Sequence, residues 1–334
     1  MRRARLAVVS ALAVVATACS DVGVAPTTPD GLRPSADITS ASPNFNAGAN
    51  PERHIFELRG SPNVVSAATV SGGGSGIYYH SGPVLQSGTS VSAIYWAAAP
   101  IYVNGPAAGT TGLGTGDGSL IGLFLRSLGG SPYFGINSTY TDGAGKAIVN
   151  AVSYQQFWAN NTSVPANGTT VTDAQMVAML QSGFTGGKLT YAPGTLYLIF
   201  TAGKVNLGGG FGSQYCAYHT NGKVTINGVS QTVLYAAMPY DAAYLSGCAG
   251  ITASANGDLG ADVEVNTLAH EIEETTTDML GTAWYDMRGY ENADKCAWKW
   301  GTTYTAANGM KANMKIGGKD FLVQQNWTNA GSGG

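Results

Sequence analysis

His270-Glu271-Ile272-Glu273-Glu274 is the segment whose residue types and spacing can do chemistry. On a helix, His270 and Glu274 are four apart and project from one face, where an imidazole nitrogen and a carboxylate oxygen can grip one metal ion. Glu271 stands where HExxH zinc hydrolases carry their general base. A catalytic zinc takes three protein ligands and leaves a fourth position to water, so another ligand must come from elsewhere. The acidic candidates downstream are Asp278, Asp286, Glu291 and Asp294, and Glu291 and Asp294 lie past a break at Gly281 and can return to the helix. Asp278 continues the same face, but two turns beyond His270 is too far for an unbroken helix to bring it to the same ion. The expected chemistry is zinc-dependent hydrolysis of a peptide, with Glu271 taking the proton of the water that the metal acidifies to a pKa of about 7. The bland reading is a solvated acidic turn with one histidine in it. Against that reading, only 11% of the chain is charged, yet four acids fall between Glu271 and Asp278. The segment also has an apolar back, which aims the acids to one side.

The elements that must position these residues can be placed from pattern. Asp258 can cap a long helix with Asp262 and Glu264 in its acidic first turn. Val265, Leu268, Ala269, Ile272, Met279 and Leu280 supply its apolar face, and Gly281 ends it. Leu120, Phe124 and Leu128 recur at helical spacing and stop at Gly129-Gly130. Thr172 and Gln175 form a capping box, Val171 can staple onto Met176, and Gly183 is the expected stop after a helix to about 181. Residues 91–103, 133–140 and 147–158 read as strands, and 195–201 is a short apolar run suited to a strand buried on both faces. Asn227-Gly228 joins 224–226 to 229–238 as a hairpin, since Asn-Gly suits a type I′ turn. Strands alternating with helices predict an α/β (α+β) class: a mixed β-sheet packed with helices, with a zincin-like core around the motif-bearing helix.

The chain opens with Arg2, Arg3 and Arg5 and an apolar stretch from Leu6 to Ala18, too short to span a bilayer, as in an export signal. Ala16-Thr17-Ala18-Cys19 reads as a lipobox, making Cys19 the expected lipid-bearing residue, with plain cleavage after Ala18 as the alternative. The expected organisation is a signal at 1–18, a disordered Pro-, Ser- and Thr-rich tether at 19–52, and one globular domain at 53–334. The expected location is the bacterial cell envelope, with Ser20 pointing to the outer membrane. A net charge of −3 without a basic cluster argues against nucleic acid. With Cys19 set aside, two of the three remaining cysteines should pair in an oxidising compartment. Cys216 and Cys248 are favoured because both flank the hairpin, and Cys296 reads as a structural thiol rather than a zinc ligand.

Several segments resemble the phosphate-induced protein family, also called the Exordium family. Tyr79-His80-Ser81-Gly82-Pro83-Val84 is similar to its opening motif, and Leu196 to Ala202 with Cys216-Ala217-Tyr218-His219 to its strand and Cys-Gly-Phe-His segment. Asn256-Gly257-Asp258-Leu259-Gly260 and the following helix match in order and spacing, and Trp284-Tyr285-Asp286 and Glu291 to Trp298 resemble the microbial branch. The likeness runs roughly over 78–300 and implies an extracellular fold. Plant members are linked to cell walls and growth without an established catalytic activity, and they generally lack the pair found here at His270 and Glu271. His80 and His219, on family-like motifs, are candidate substrate contacts or extra ligands. Two further readings stand beside the hydrolase: a non-catalytic surface protein binding cell-wall or extracellular glycan, and an adhesion module holding calcium, which makes little use of His270.

Overall fold

Alternation along the strands divides two hydrophobic layers, and a sheet between helices follows. The computed structural model describes residues 18–19, 53–61, 76–208 and 210–329; the expected export signal and tether fall almost wholly outside them. Seven strands form the main sheet: β1 (His54–Glu57), β2 (Thr89–Trp96), β3 (Thr111–Leu113), β4 (Val152–Trp158), β5 (Thr195–Thr201), β6 (Tyr215–Ile226) and β7 (Val229–Met238). Their spatial order is β1-β6-β7-β5-β2-β4-β3. The inner strands β7, β5, β2 and β4 run parallel, while β1 and β6 on one side and β3 on the other pair antiparallel. The class is therefore mixed α+β with a large mixed sheet, as the pattern predicts.

Along β5, Leu196, Leu198 and Phe200 face one layer and Tyr197 and Ile199 the other. The first layer receives α1 (Leu120–Leu128) and α3 (Leu259–Thr277), through Phe124, Leu125, Leu128, Val265, Leu268 and Ile272. The second receives α2 (Asp173–Thr185), through Met176, Met179 and Leu180. Both halves of the Thr172–Gln175 capping box form. The hairpin turns at Asn227, φ 52°, and Gly228, φ 79°, the left-handed conformations that a type I′ turn needs.

Three expectations are corrected. Residues 133–140 are not a strand: Phe134–Thr139 is a 3₁₀ helix, begun by Ser131, whose Oγ accepts from the Phe134 N–H. Gly183 does not stop α2 but lies inside it, because a Cβ there would come within 2.7 Å of the Trp158 ring. It is a close-approach glycine rather than a cap. The strands expected at 91–103 and 147–158 are shorter, ending at Trp96 and starting at Val152.

Cys216 and Cys248 form a disulfide, and so do Cys19 and Cys296. Ala18–Cys19 pairs in parallel with Asn326–Trp327. The free thiol expected at Cys296 is thus corrected. The lipid expected on Cys19 excludes this bridge on the same molecule, because one sulfur cannot be both thioether and disulfide. No helix among the described residues is long and apolar enough to cross a membrane.

Candidate metal centre

Asp258 starts α3 by accepting from the Ala261 N–H at 3.1 Å. From Gly260 to Thr277 every residue of the helix is buried. Its apolar face meets the sheet. Its acidic face meets a second cover made by the chain after Thr277, where Ala283, Trp284, Cys296 and Trp327 pack with Ile77, Ile136 and Tyr140. The solvated acidic turn is therefore excluded: Glu271, Glu273 and Glu274 show no exposed surface.

Strand alternation brings two histidines to this face. Tyr218 points into the α2 layer, so its neighbour His219 points toward α3; on β1, Ile55 does the same for His54 and Phe56. Registry places His54 opposite His219 across the β1–β6 pair, and their rings stack at 4.8 Å. Phe56 lies 4.1 Å from the ring of His270, with Trp298 stacked behind it at 4.6 Å.

Seven side chains converge as three overlapping groups: His270, Glu274 and Asp294; His219, Glu271 and Glu274; and His54, His219 and Glu291. Within each, the ligand atoms lie within 4.8 Å of one another. His270 Nε2 is 3.1 Å from Glu274 Oε1 and 3.5 Å from Asp294 Oδ1. His219 Nδ1 is 3.1 Å from Glu271 Oε2 and 3.7 Å from Glu274 Oε2, while its Nε2 is 3.7 Å from Glu291 Oε2. His54 Nδ1 lies 2.7 Å from Glu291 Oε2. Tetrahedral ligands about 2.1 Å from zinc are about 3.4 Å apart, so most of these separations suit a shared ion.

These are not ordinary ion pairs. Burial lowers His54 and His270 to about 4 and pushes His219 well below its usual value, which leaves the imidazoles neutral, the form that binds metal. Burial likewise raises Glu271, Glu274, Glu291 and Asp294 well above the usual carboxyl range, and their mutual repulsion adds to it. His219 Nε2, His270 Nε2, Glu271 Oε1, Glu274 Oε2 and Glu291 Oε1 are buried without a hydrogen-bond partner. Orphaned lone pairs facing one another under such burial are costly, and a cation between them removes the cost. The donor set, imidazoles and carboxylates, is one that zinc takes. Asp294 N–H donates to Glu274 Oε1 at 3.0 Å, and Gln324 Nε2 lies 3.1 Å from His270 Nδ1.

Both candidates for the further ligand reach the centre, in different groups. Asp294 joins His270 and Glu274, and Glu291 joins the two strand histidines. His219 is within the cluster. His80 is not: it stacks on Tyr285 at 3.6 Å with its Nδ1 3.3 Å from Ala283 O, so it belongs to a packed turn. Asp278 caps the chain turn instead, accepting from the Thr282 and Ala283 N–H groups. Sequence reasoning misses His54, which lies at the margin of the tether. Its signal is the four-residue run His54 to Glu57, able to form a buried strand.

The family described as the phosphate-induced protein 1 conserved region matches residues 130–321, more than half of the chain. The protein is 26% identical over 316 residues to Protein EXORDIUM-like 3 of Arabidopsis thaliana, covering 81% of this chain and 87% of that protein. No solved structure matches.

Proposed function

From the premise that this chain belongs to the phosphate-induced protein 1 family, we propose that it is an exported zinc-dependent hydrolase acting on peptides at the cell envelope. The observation supporting this reading is the convergence of His270, Glu274 and Asp294 beside Glu271 on one buried helix face. A zinc ion held by those three side chains would supply Lewis acidity, polarising a carbonyl and acidifying water. Glu271 has two oxygens with separate tasks. Oε2 is held against His219 Nδ1, while Oε1 has no partner and can accept a proton from water. Phe56 packs against the His270 ring from one side. A zincin-like core is part of the same proposal, as is export by the N-terminal segment.

One observation favours a second reading. The ligands and the base are all buried, so substrate reaches them only if the cover beyond Thr277 opens. A non-catalytic envelope protein holding a structural ion needs no such opening. Glu271→Gln separates the two. In the hydrolase, the variant keeps the His270 ion and loses about 10²–10⁴ in rate on a peptide that the wild type cleaves. Full activity in Glu271→Gln, or no cleavage by metal-loaded wild type across a peptide library, sinks the hydrolase and leaves the structural ion.

A further inference from the structure

We infer that His54, His219 and Glu291 form a second divalent-cation site beside the His270–Glu274–Asp294 set, so that the chain holds a pair of ions. The inference rests on the metal-centre reading above and not on hydrolysis.

The two ligand groups share no residue, so neither has to give up a ligand to the other. The second has its own unsatisfied atoms: His219 Nε2 and Glu291 Oε1 are buried without hydrogen-bond partners, while Glu291 Oε2 lies 2.7 Å from His54 Nδ1. Its outer support is also in place. Glu271 Oε2 lies 3.1 Å from His219 Nδ1; the tautomer with its proton on Nδ1 donates there and leaves the Nε2 lone pair facing Glu291 Oε2 at 3.7 Å. On the far side of His54 the chain supplies Gly281, where a Cβ would lie 2.3 Å from His54 Nε2. The imidazole is thus confined between Gly281 and Glu291.

Glu271, Glu274, Glu291 and Asp294 bring four buried carboxyls into this centre, divided between the ligand groups. Glu274 stays with the first group: its Oε1 faces His270 Nε2 at 3.1 Å, and its Oε2 lies 3.7 Å from His219 Nδ1 rather than from the Nε2 that faces Glu291. Two imidazoles and one carboxylate select zinc, cobalt or manganese over calcium, which prefers all-oxygen sets.

The test is metal stoichiometry, read without any activity assay. Full-length protein dialysed against zinc and then buffer should carry two equivalents by plasma mass spectrometry. His54→Ala and Glu291→Gln should each carry one, His270→Ala one, and the His54→Ala/His270→Ala double variant none. Glu291→Gln preserves side-chain volume, so it reports even if His54→Ala fails to fold. A cobalt titration of wild type, followed by visible absorption, should show two successive steps. The inference is overturned if wild type carries one equivalent that survives both His54→Ala and Glu291→Gln and is lost in His270→Ala; the first site then stands alone. Two ions with no hydrolysis would overturn the enzyme reading and keep the pair. No ion in wild type would overturn both.

Discussion

Gly281→Ala tests the second ligand group through the backbone that confines it. Gly281 has φ 71°, where an L-residue costs roughly 1–2 kcal/mol. Its added Cβ would lie 2.3 Å from His54 Nε2 and 2.8 Å from Cε1. Ordinary contact begins near 3.4 Å, so the imidazole must retreat by roughly 1 Å, a misplacement large enough to cost about 10²-fold at a geometry-dependent site. Gly130→Ala is the control: φ is 75° and a Cβ there would meet nothing within 4 Å. Zinc titration by calorimetry and thermal melts with and without chelator give the readout. The control should lose about 1–2 kcal/mol of stability and bind both ions as wild type does. Gly281→Ala should lose more than the control in chelator, because the clash with buried His54 adds to the φ cost, and should show a second-site affinity lower by about 10–100-fold, with the His270 site unchanged. Wild-type affinity at both sites in Gly281→Ala would refute the argument, and so would equal weakening of both.

Peptide mapping without reduction should find Cys19 linked to Cys296; a diacylglyceryl group on Cys19 with Cys296 free would overturn the bridge and restore the lipid anchor. Asp278, raised by burial to about 7, should make the chelated protein less stable as pH rises. The folded state holds its proton more tightly than the unfolded chain, so the stability is complete below about 4 and falls until about 7, where it levels off. Urea titrations at several pH values should show this slope in wild type and a flatter one in Asp278→Asn; equal slopes would reject the assignment.

Local chemistry makes much of the fold legible. The capping box at Thr172, the Asp258 cap and the Asn227-Gly228 turn each depend on residues within a few positions, and each forms. Gly183 misleads because a stop and a close approach both call for glycine, and only the position of Trp158 distinguishes them. The acidic helix motif is legible too, but not its surroundings. An amphipathic pattern signals one buried face, and here the polar face is buried as well, by chain that packs over it after Thr277. His54 is illegible because its role comes from the β1–β6 register, a contact between distant parts of the sequence. Glu291 and Asp294 cannot be ranked from sequence for a related reason: each serves a different group, so the choice between them is not one that spacing can make.

The placement of β1 bears on how long an ion would stay. This four-residue strand is at the sheet edge, hydrogen-bonded to β6 alone within the sheet, and it carries His54. Edge strands and loop covers open locally at lower free energy than the central strands of a sheet. Ions held among fully buried ligands cannot leave faster than some such opening allows. Residence time at the centre would then be set by the fraying of one short strand rather than by coordination strength alone. Exchange would be slow even where equilibrium affinity is modest, and whichever suitable cation is present as β1 docks would tend to be retained.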